Sequence, residues 1–307
     1  MNDVSIFFVA DGIKLERKSW VLAVSLRREM GFDFPIIAYV PEQKLGSMSS
    51  VSRVVFRRCG VEVRTFDPSK GDWETPYVVG NKILAAKEQR ETTHSIFLDT
   101  DTVCIQPLEF PRDDTRPYLA AVPEGVLTWG KERRGHSWEV AYGEFGLDVP
   151  EQRVTLTRGR NRSVPPYFNA GFVAFREKPD YRGNRLSDVW YDTALRLDRN
   201  PDIADKRPWL DQISLPVAAA RMNADLVVLD ESFNCSLHGR SVDPQIDKRL
   251  LHYHHVATFN KWPQCRSVLG TASEWLPDKK RGHLKRHLSR WKFPGDLEEA
   301  ASSESSD

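Results

Sequence analysis

An α/β fold, with a mostly parallel central sheet and helices on both faces, is what three features of the sequence predict. Short apolar runs alternate with longer segments of helical periodicity from residue 4 to residue 98. The runs are mostly continuous rather than alternating, as in strands buried on both faces of a parallel sheet. Carboxylates follow the ends of two runs, at Asp11 and at Asp99 and Asp101, and ligands of such sheets bind beyond the carboxyl ends of the strands.

The elements follow in order. Residues 4–10 form a first buried strand, ended by the turn signal Asp11-Gly12. Residues 13–30 carry Leu15, Leu22, Leu26 and Met30 at mostly helical spacing, and Gly31 stops that helix. Residues 34–40 are a second strand, and Pro41 opens a helical or irregular connection to Arg58. Residues 61–66 alternate with charges, as a less buried strand does. A helix over 78–90 leads to the apolar run Ser95-Ile96-Phe97-Leu98.

Past Val103 the pattern loosens. Residues 118–122 read as a strand, whereas 124–166 hold many turn signals and a basic set running from Lys131, Arg133 and Arg134 to Arg153, Arg158, Arg160 and Arg162. A long, weakly periodic stretch is either a binding loop or a solvated insertion. A strand over 172–175 follows small residues, a helix lies within 179–200, and Pro208 is expected to open another helix as a first-turn residue. Residues 225–229 and the end of 249–255 read as further strands.

Several stretches carry side chains suited to chemistry. Ser95 to Val103 places Asp99 and Asp101 one residue apart at a strand end. Residues two apart on a strand project to one side, roughly 6–7 Å from each other. A turn there lets both carboxylates share a hard cation such as Mg²⁺ or Mn²⁺, and a plain solvated turn fits the same pattern. Asn169, ahead of Ala170 and Gly171, offers amide donors and acceptors to a polar ligand. Asp211 and Gln212 fall in a helix's first turn, where negative groups are favoured; a simple helix-start carboxylate is the other reading. His252, His254 and His255 cluster at a strand end, the first two on one face if the strand stays extended, and imidazole is a ligand for Mn²⁺. Lys261-Trp262 adds a cation and a ring.

Composition narrows the function classes. With 307 residues, 40% hydrophobic and 28% charged at a net charge of +1, the chain is of ordinary globular make-up. A nucleic-acid binder would need a basic excess, so no nucleic-acid partner is expected. Four scattered cysteines without a C-x-x-C pair argue against a zinc site or disulfide framework and for reduced thiols in a cytosol. No run reaches the length of a membrane span.

The ordered set of motifs resembles the GT-A glycosyltransferases, and among them the retaining glycosyltransferase family 8. Phe97-Leu98-Asp99-Thr100-Asp101 is similar to that family's metal motif, Phe168-Asn169-Ala170-Gly171 to its "FNaG" segment, and Asp211-Gln212 to its "DQ". Phe233-Asn234 is similar to its later "fN". Leu250-Leu251-His252-Tyr253 through Lys261-Trp262 resembles its terminal segment, without the proline and glycine found there. The resemblance implies a GT-A fold and transfer of a sugar from a nucleotide-diphosphate sugar, a UDP-sugar by preference, to a glycan, lipid-linked or other hydroxyl acceptor with retention. It implies Mn²⁺ or Mg²⁺ on Asp99, Asp101 and His252, with His254 and His255 as alternatives. Val9, Ala10 and Asp11 would hold the nucleoside, and Lys82, Asn169, Ala170, Gly171 and Lys261 the rest of the donor. Asp211 and Gln212 would be catalytic. A sugar-nucleotide or glycan binder, or a sugar-nucleotide hydrolase, stays open on the same fold.

The expected organisation is one GT-A domain over 1–277, with a donor half to about 110 and an acceptor half from 111. A basic amphipathic segment over 278–295 and a disordered acidic tail over 296–307 would follow. The stretch from Lys279 to Phe293 spaces Leu284, Leu288 and Trp291 helically against basic residues. That pattern suits either an anionic membrane surface or a terminal helix packed on the domain, so a cytoplasmic protein, peripheral at the inner face of a membrane, is one expectation.

Overall fold

The computed structural model describes residues 3–112, 115–130, 137–158 and 161–294. The chain runs β1 (Val4–Val9), α1 (Gly12–Met30), β2 (Ile36–Pro41), α2 (Glu42–Leu45), α3 (Ser50–Arg58), β3 (Val61–Phe66), α4 (Asn81–Lys87), β4 (His94–Leu98), β5 (Thr102–Cys104) and β6 (Tyr118–Pro123). Then come α5 (Ser137–Gly143), β7 (Val154–Thr155), β8 (Ser163–Val164), β9 (Phe168–Arg176), α6 (Leu186–Arg199), α7 (Leu210–Arg221) and β10 (Asp225–Val228). The last elements are β11 (Cys235–Ser236), β12 (Leu250–His252), α8 (Val256–Phe259), α9 (Pro263–Glu274) and α10 (Asp278–His287).

Seven strands form the main sheet in the order β10-β6-β9-β4-β1-β2-β3. All neighbours are parallel except β9, which runs against both β4 and β6. Alternate side chains of β1 enter different apolar layers: Val4, Ile6 and Phe8 on one face, Phe7 and Val9 on the other. β4 divides likewise, Ile96 and Leu98 from Phe97. This period-2 split is what a sheet covered on both faces requires.

The antiparallel strand places the site. Its first residues, not its last, lie at the carboxyl ends of β4 and β6, with Leu98 opposite Phe172 and Val122 opposite Asn169. The register shifts between Ala121 and Val122, a bulge that re-aims the side chains around it. A second sheet, β11-β12-β5, sets His252 beside Thr102. Both sheets therefore converge on Asp99-Thr100-Asp101.

Several expectations need correction. The helix expected over 78–90 is a 3₁₀ turn, Val78–Gly80, followed by α4, and the backbone is already extended at Glu88. Pro208 does not sit in a first turn: α7 starts at Leu210 with Trp209 as its cap, and Pro208 follows a cis bond to Arg207. The strand expected at 172 begins at Phe168. Within 124–166 the chain forms α5, β7 and β8; Lys131, Arg133, Arg134 and Arg160 lie outside the described residues, as does the acidic tail.

The C-terminal segment resolves between its two readings. Leu284, Leu288, Trp291 and Phe293 are buried within the same apolar layer as Val4, Ile6 and Phe8 of β1, and the Trp291 ring packs 4.5 Å from that of Phe259. The face that would enter a bilayer is already covered by protein. Among the described residues no helix is long and apolar enough to cross a membrane.

Candidate functional site

The turn after β4 is clamped from two sides. The Asp99 N–H donates to the Gly171 carbonyl at the start of β9 (2.9 Å), and the Tyr253 N–H donates to the Asp101 carbonyl (3.0 Å). Thr102 closes the turn by donating its hydroxyl to the Asp99 carbonyl (2.7 Å). Two carboxylates are thus fixed at the ligand end of the sheet, each about a quarter exposed.

Lys82, in the first turn of α4, reaches into this turn. Its ammonium stands 3.0 Å from Asp99 Oδ1 and 3.1 Å from Asp211 Oδ2, and donates to the Ala170 carbonyl (3.1 Å). Burial opposes its charge, but Asp99 and Asp211 outweigh burial and raise its pKa. The buried Asp211 meets the Tyr77 hydroxyl at its other oxygen (3.1 Å); that hydroxyl shares its one proton with the Pro208 carbonyl (2.8 Å) and accepts from the Asp211 N–H (3.2 Å). Burial, then Asp211, push the Tyr77 phenol up.

One backbone N–H sets the polarity of a hydrogen-bond chain that ends at His252. The Gly171 N–H can only donate, so the Asn169 atom it meets at 2.9 Å is Oδ1. Asn169 Nδ2 then faces the acceptor Glu124 Oε2 (2.9 Å). Asn234 must donate its Nδ2 to Asn169 Oδ1 (2.8 Å), which turns Asn234 Oδ1 toward His252 Nδ1 (2.9 Å). His252 therefore carries a proton on Nδ1 and presents Nε2 to Asp101 Oδ1, 3.2 Å away. An imidazole partnered in this way is oriented as a metal ligand is.

His252 and His254 stack with ring centroids 3.9 Å apart, although His254 has a left-handed backbone (φ 55°) and the strand does not stay extended. One ligand atom each from Asp101, His252 and His254 lies within 4.8 Å of the others. Burial disfavours charge on His252, yet Asp101 more than offsets it and its pKa is raised. Burial and then His252 push His254 down to about 3, so it stays neutral. A carboxylate oxygen and two imidazole nitrogens this close suit Mn²⁺ or a similar divalent ion better than Mg²⁺. The residues present fit such an ion.

A cavity of about 260 Å³ opens beside the turn, lined by Val9, Asp11, Leu15, Lys82, Asp99 and Asp101 among others. A second, of about 400 Å³, shares Asp11, Val78 and Asn81 with it. Together they are of the size that holds a small organic ligand. Asp11 is tied there to Lys44 and accepts from Asn81 Nδ2 (2.9 Å).

The residues singled out from sequence do not all arrive at this edge. Asp11, Lys82, Asp99, Asp101, Asn169, Gly171, Asp211, His252 and His254 do, and Ala170 contributes its carbonyl. Val9 lines the cavity, whereas Ala10 is buried in the core and its N–H is used by Tyr39. Asp99 is paired with Lys82 and stands outside the Asp101–His252–His254 trio. His255 caps α8, and Lys261 is exposed with no side-chain hydrogen bond to the cluster among the described residues.

Gln212 is close to Glu124, whose carboxyl burial pushes up, yet Gln212 Oε1 is buried with no hydrogen-bond partner among the described residues. Sequence reading missed Lys18, Lys44, Tyr77, Asn81 and Glu124. Lys18 was detectable: it falls at helical spacing with Leu15, Leu22 and Leu26, a cation on the apolar stripe.

Similarities to known proteins bear on the fold and the family. The galactosyltransferase LgtC, solved with donor and acceptor sugar analogs, is 14% identical over 91% of this chain and 99% of its own, with a TM-score of 0.56. Mouse xyloside xylosyltransferase 1 in its apo form is 14% identical over 81% of this chain and 97% of its own, at 0.51. The bifunctional glycosyltransferase WbbM is 14% identical over 92% of this chain and 51% of its own, at 0.55. At such identities the likeness establishes the fold, which is GT-A. A search of curated proteins by sequence finds no match. A family profile described as a Rhodobacterales glycosyltransferase domain matches residues 6–223. That span is more than half of the chain, and the protein belongs to the Rhodobacterales glycosyltransferase domain family.

Proposed function

We propose that this glycosyltransferase moves a sugar from a nucleoside-diphosphate sugar, a UDP-sugar by preference, to a hydroxyl acceptor, with a divalent ion held by Asp101, His252 and His254. The observation that carries the reading is the meeting of that trio with the Lys82–Asp99–Asp211 network beside the cavity at the sheet's ligand edge. Breaking a glycosidic bond to a diphosphate leaves negative charge on the leaving group. The bound ion would act as a Lewis acid toward that charge.

The remaining roles belong to the chain's own groups. Lys82 holds Asp99 and Asp211 at fixed distances and supplies positive charge beside the donor. Asp211 has both carboxylate oxygens engaged, by Lys82 and Tyr77, so it positions Lys82. Gln212 Oε1, buried and without a hydrogen-bond partner among the described residues, accepts a hydroxyl of donor or acceptor; such an atom costs about 1–3 kcal/mol unless a partner is supplied. Retention of configuration and a glycan or lipid-linked acceptor extend the resemblance in the sequence. With Leu284, Leu288 and Trp291 buried, membrane contact would be electrostatic, through exposed Lys279, Arg281, Lys285 and Arg286.

The test is incubation with Mn²⁺ and a panel of nucleotide sugars, with and without glycan acceptors, following nucleoside diphosphate release. Acceptor-dependent release is expected. No release from any donor would replace transfer with binding, and release indifferent to acceptors would replace it with hydrolysis.

A further inference from the structure

We infer that Lys18 sets the cation affinity of the Asp101–His252–His254 centre low, so that a divalent ion fills it in concert with a nucleoside diphosphate and poorly alone. The inference rests on the metal centre of the proposed function and adds a residue that neither the motifs nor the family resemblance singled out.

Lys18 projects from α1 onto the far side of the same carboxylate. Its ammonium lies 2.9 Å from Asp101 Oδ2 and 3.0 Å from the His254 carbonyl, while Asp101 Oδ1 faces His252 Nε2. Two acceptors from different segments hold it, the Tyr253 ring lies 5.8 Å away, and its side chain is 19% exposed. This is a built position rather than a surface lysine meeting a nearby acid.

The charges give the consequence. Two ammonium groups already face the three carboxylates of this neighbourhood, Lys18 on Asp101 and Lys82 on Asp99 and Asp211. A dication held there would share Asp101 with the Lys18 ammonium. Two positive charges on one carboxylate repel by enough for roughly a tenfold loss of affinity even with water-like screening. A diphosphate brings negative charge that offsets this repulsion. Each ligand then tightens the other by the same factor, because such coupling is reciprocal.

Mn²⁺ binding is measured by electron paramagnetic resonance and by calorimetry, without and with UDP, on the full chain, Lys18→Met, Lys18→Gln and Lys18→Arg, with circular dichroism confirming the fold. Lys18→Met and Lys18→Gln should bind Mn²⁺ alone roughly tenfold more tightly, and the factor by which UDP tightens Mn²⁺ should shrink. Lys18→Arg, which keeps the charge, should behave as the unchanged protein. If Lys18 only oriented Asp101, its loss would weaken Mn²⁺ binding. Equal or weaker binding in both neutral variants overturns the inference and leaves the metal centre standing. Failure of every variant to bind Mn²⁺, with or without UDP, overturns both. Tighter binding in the variants, from a protein that transfers no sugar, supports the role of Lys18 and removes the transferase reading.

Discussion

Lys82 Nζ lies 3.1 Å from Asp211 Oδ2, so the first turn of α7 is tied to the first turn of α4 and, through Asp99, to the end of β4. Both side chains are nearly buried. Removing the shared ammonium strands both carboxylates, at a cost of about 3 kcal/mol or more, whereas removing Asp211 breaks one contact and leaves Lys82 paired with Asp99. Asp211→Asn should therefore lower the urea midpoint as well as turnover, and Lys82→Met, which leaves two carboxylates unpaired, should lower it further. Unchanged unfolding midpoints in both would show that the contact carries no stability.

The tautomer of His252 depends on Asn234 Oδ1. Removing a partner of this kind from a metal-binding histidine typically costs 10–100-fold in affinity. Asn234→Ala should weaken Mn²⁺ binding by about that factor while the fold survives. Calorimetric titration of the two proteins decides it, and equal affinities would detach Asn234 from the centre.

Gly171 has no room for a side chain. A Cβ there would stand 2.8 Å from Asn169 Oδ1, 3.1 Å from Asn234 Nδ2 and 3.1 Å from His252 Cε1. Overpacking of this kind costs about 1–3 kcal/mol, and here it would also push apart the chain that orients His252. Gly171→Ala should melt earlier and bind Mn²⁺ less well; wild-type values for both would mean that the three side chains shift without consequence.

Removal of the chain after Pro277 strips Leu284, Leu288, Trp291 and Phe293 from the core. The shortened protein should melt well below the full chain and bind more of a hydrophobic dye. Trp291→Ala alone should cost about 3–5 kcal/mol. Liposome sedimentation is therefore better tested with charge reversal at Lys285 and Arg286, which are exposed. Identical melting of the shortened and full chains would show the segment to be dispensable.

All four cysteines are free and buried. Burial pushes the Cys59 thiol up to about 12 and raises Cys104 and Cys265 as well. Thiolate is the reactive form, so at pH 8 a disulfide reagent should label the native protein hardly at all and the unfolded protein at four sites. Rapid native labelling would place at least one thiol at the surface.

Local pattern revealed the parallel core because β1, β2 and β4 are buried on both faces and read as near-continuous apolar runs. It also placed Asp99, Asp101, Asn169 and Asp211 at strand and helix ends. The antiparallel direction of β9 was not legible, because Phe168 to Phe175 reads alike in either direction. Nor was the pairing of Lys18 with Asp101, residues 83 positions apart, or the division of Asp99 toward Lys82 and Asp101 toward the histidines. Such pairings are decided by packing between distant elements, and only the odd placement of Lys18 on an apolar stripe hinted at one of them.

The reversed direction of β9 has a consequence for how such a catalyst can diversify. Pro123 at the end of β6 and Phe168 at the start of β9 are register partners, so the chain between them leaves and re-enters the sheet at the ligand edge. Residues can be added, lost or exchanged in that excursion without altering the length of any strand or the grip of Lys82, Asp101 and His252. A lineage can thus remodel that edge of the sheet while inheriting the cluster of Lys82, Asp101 and His252 unchanged.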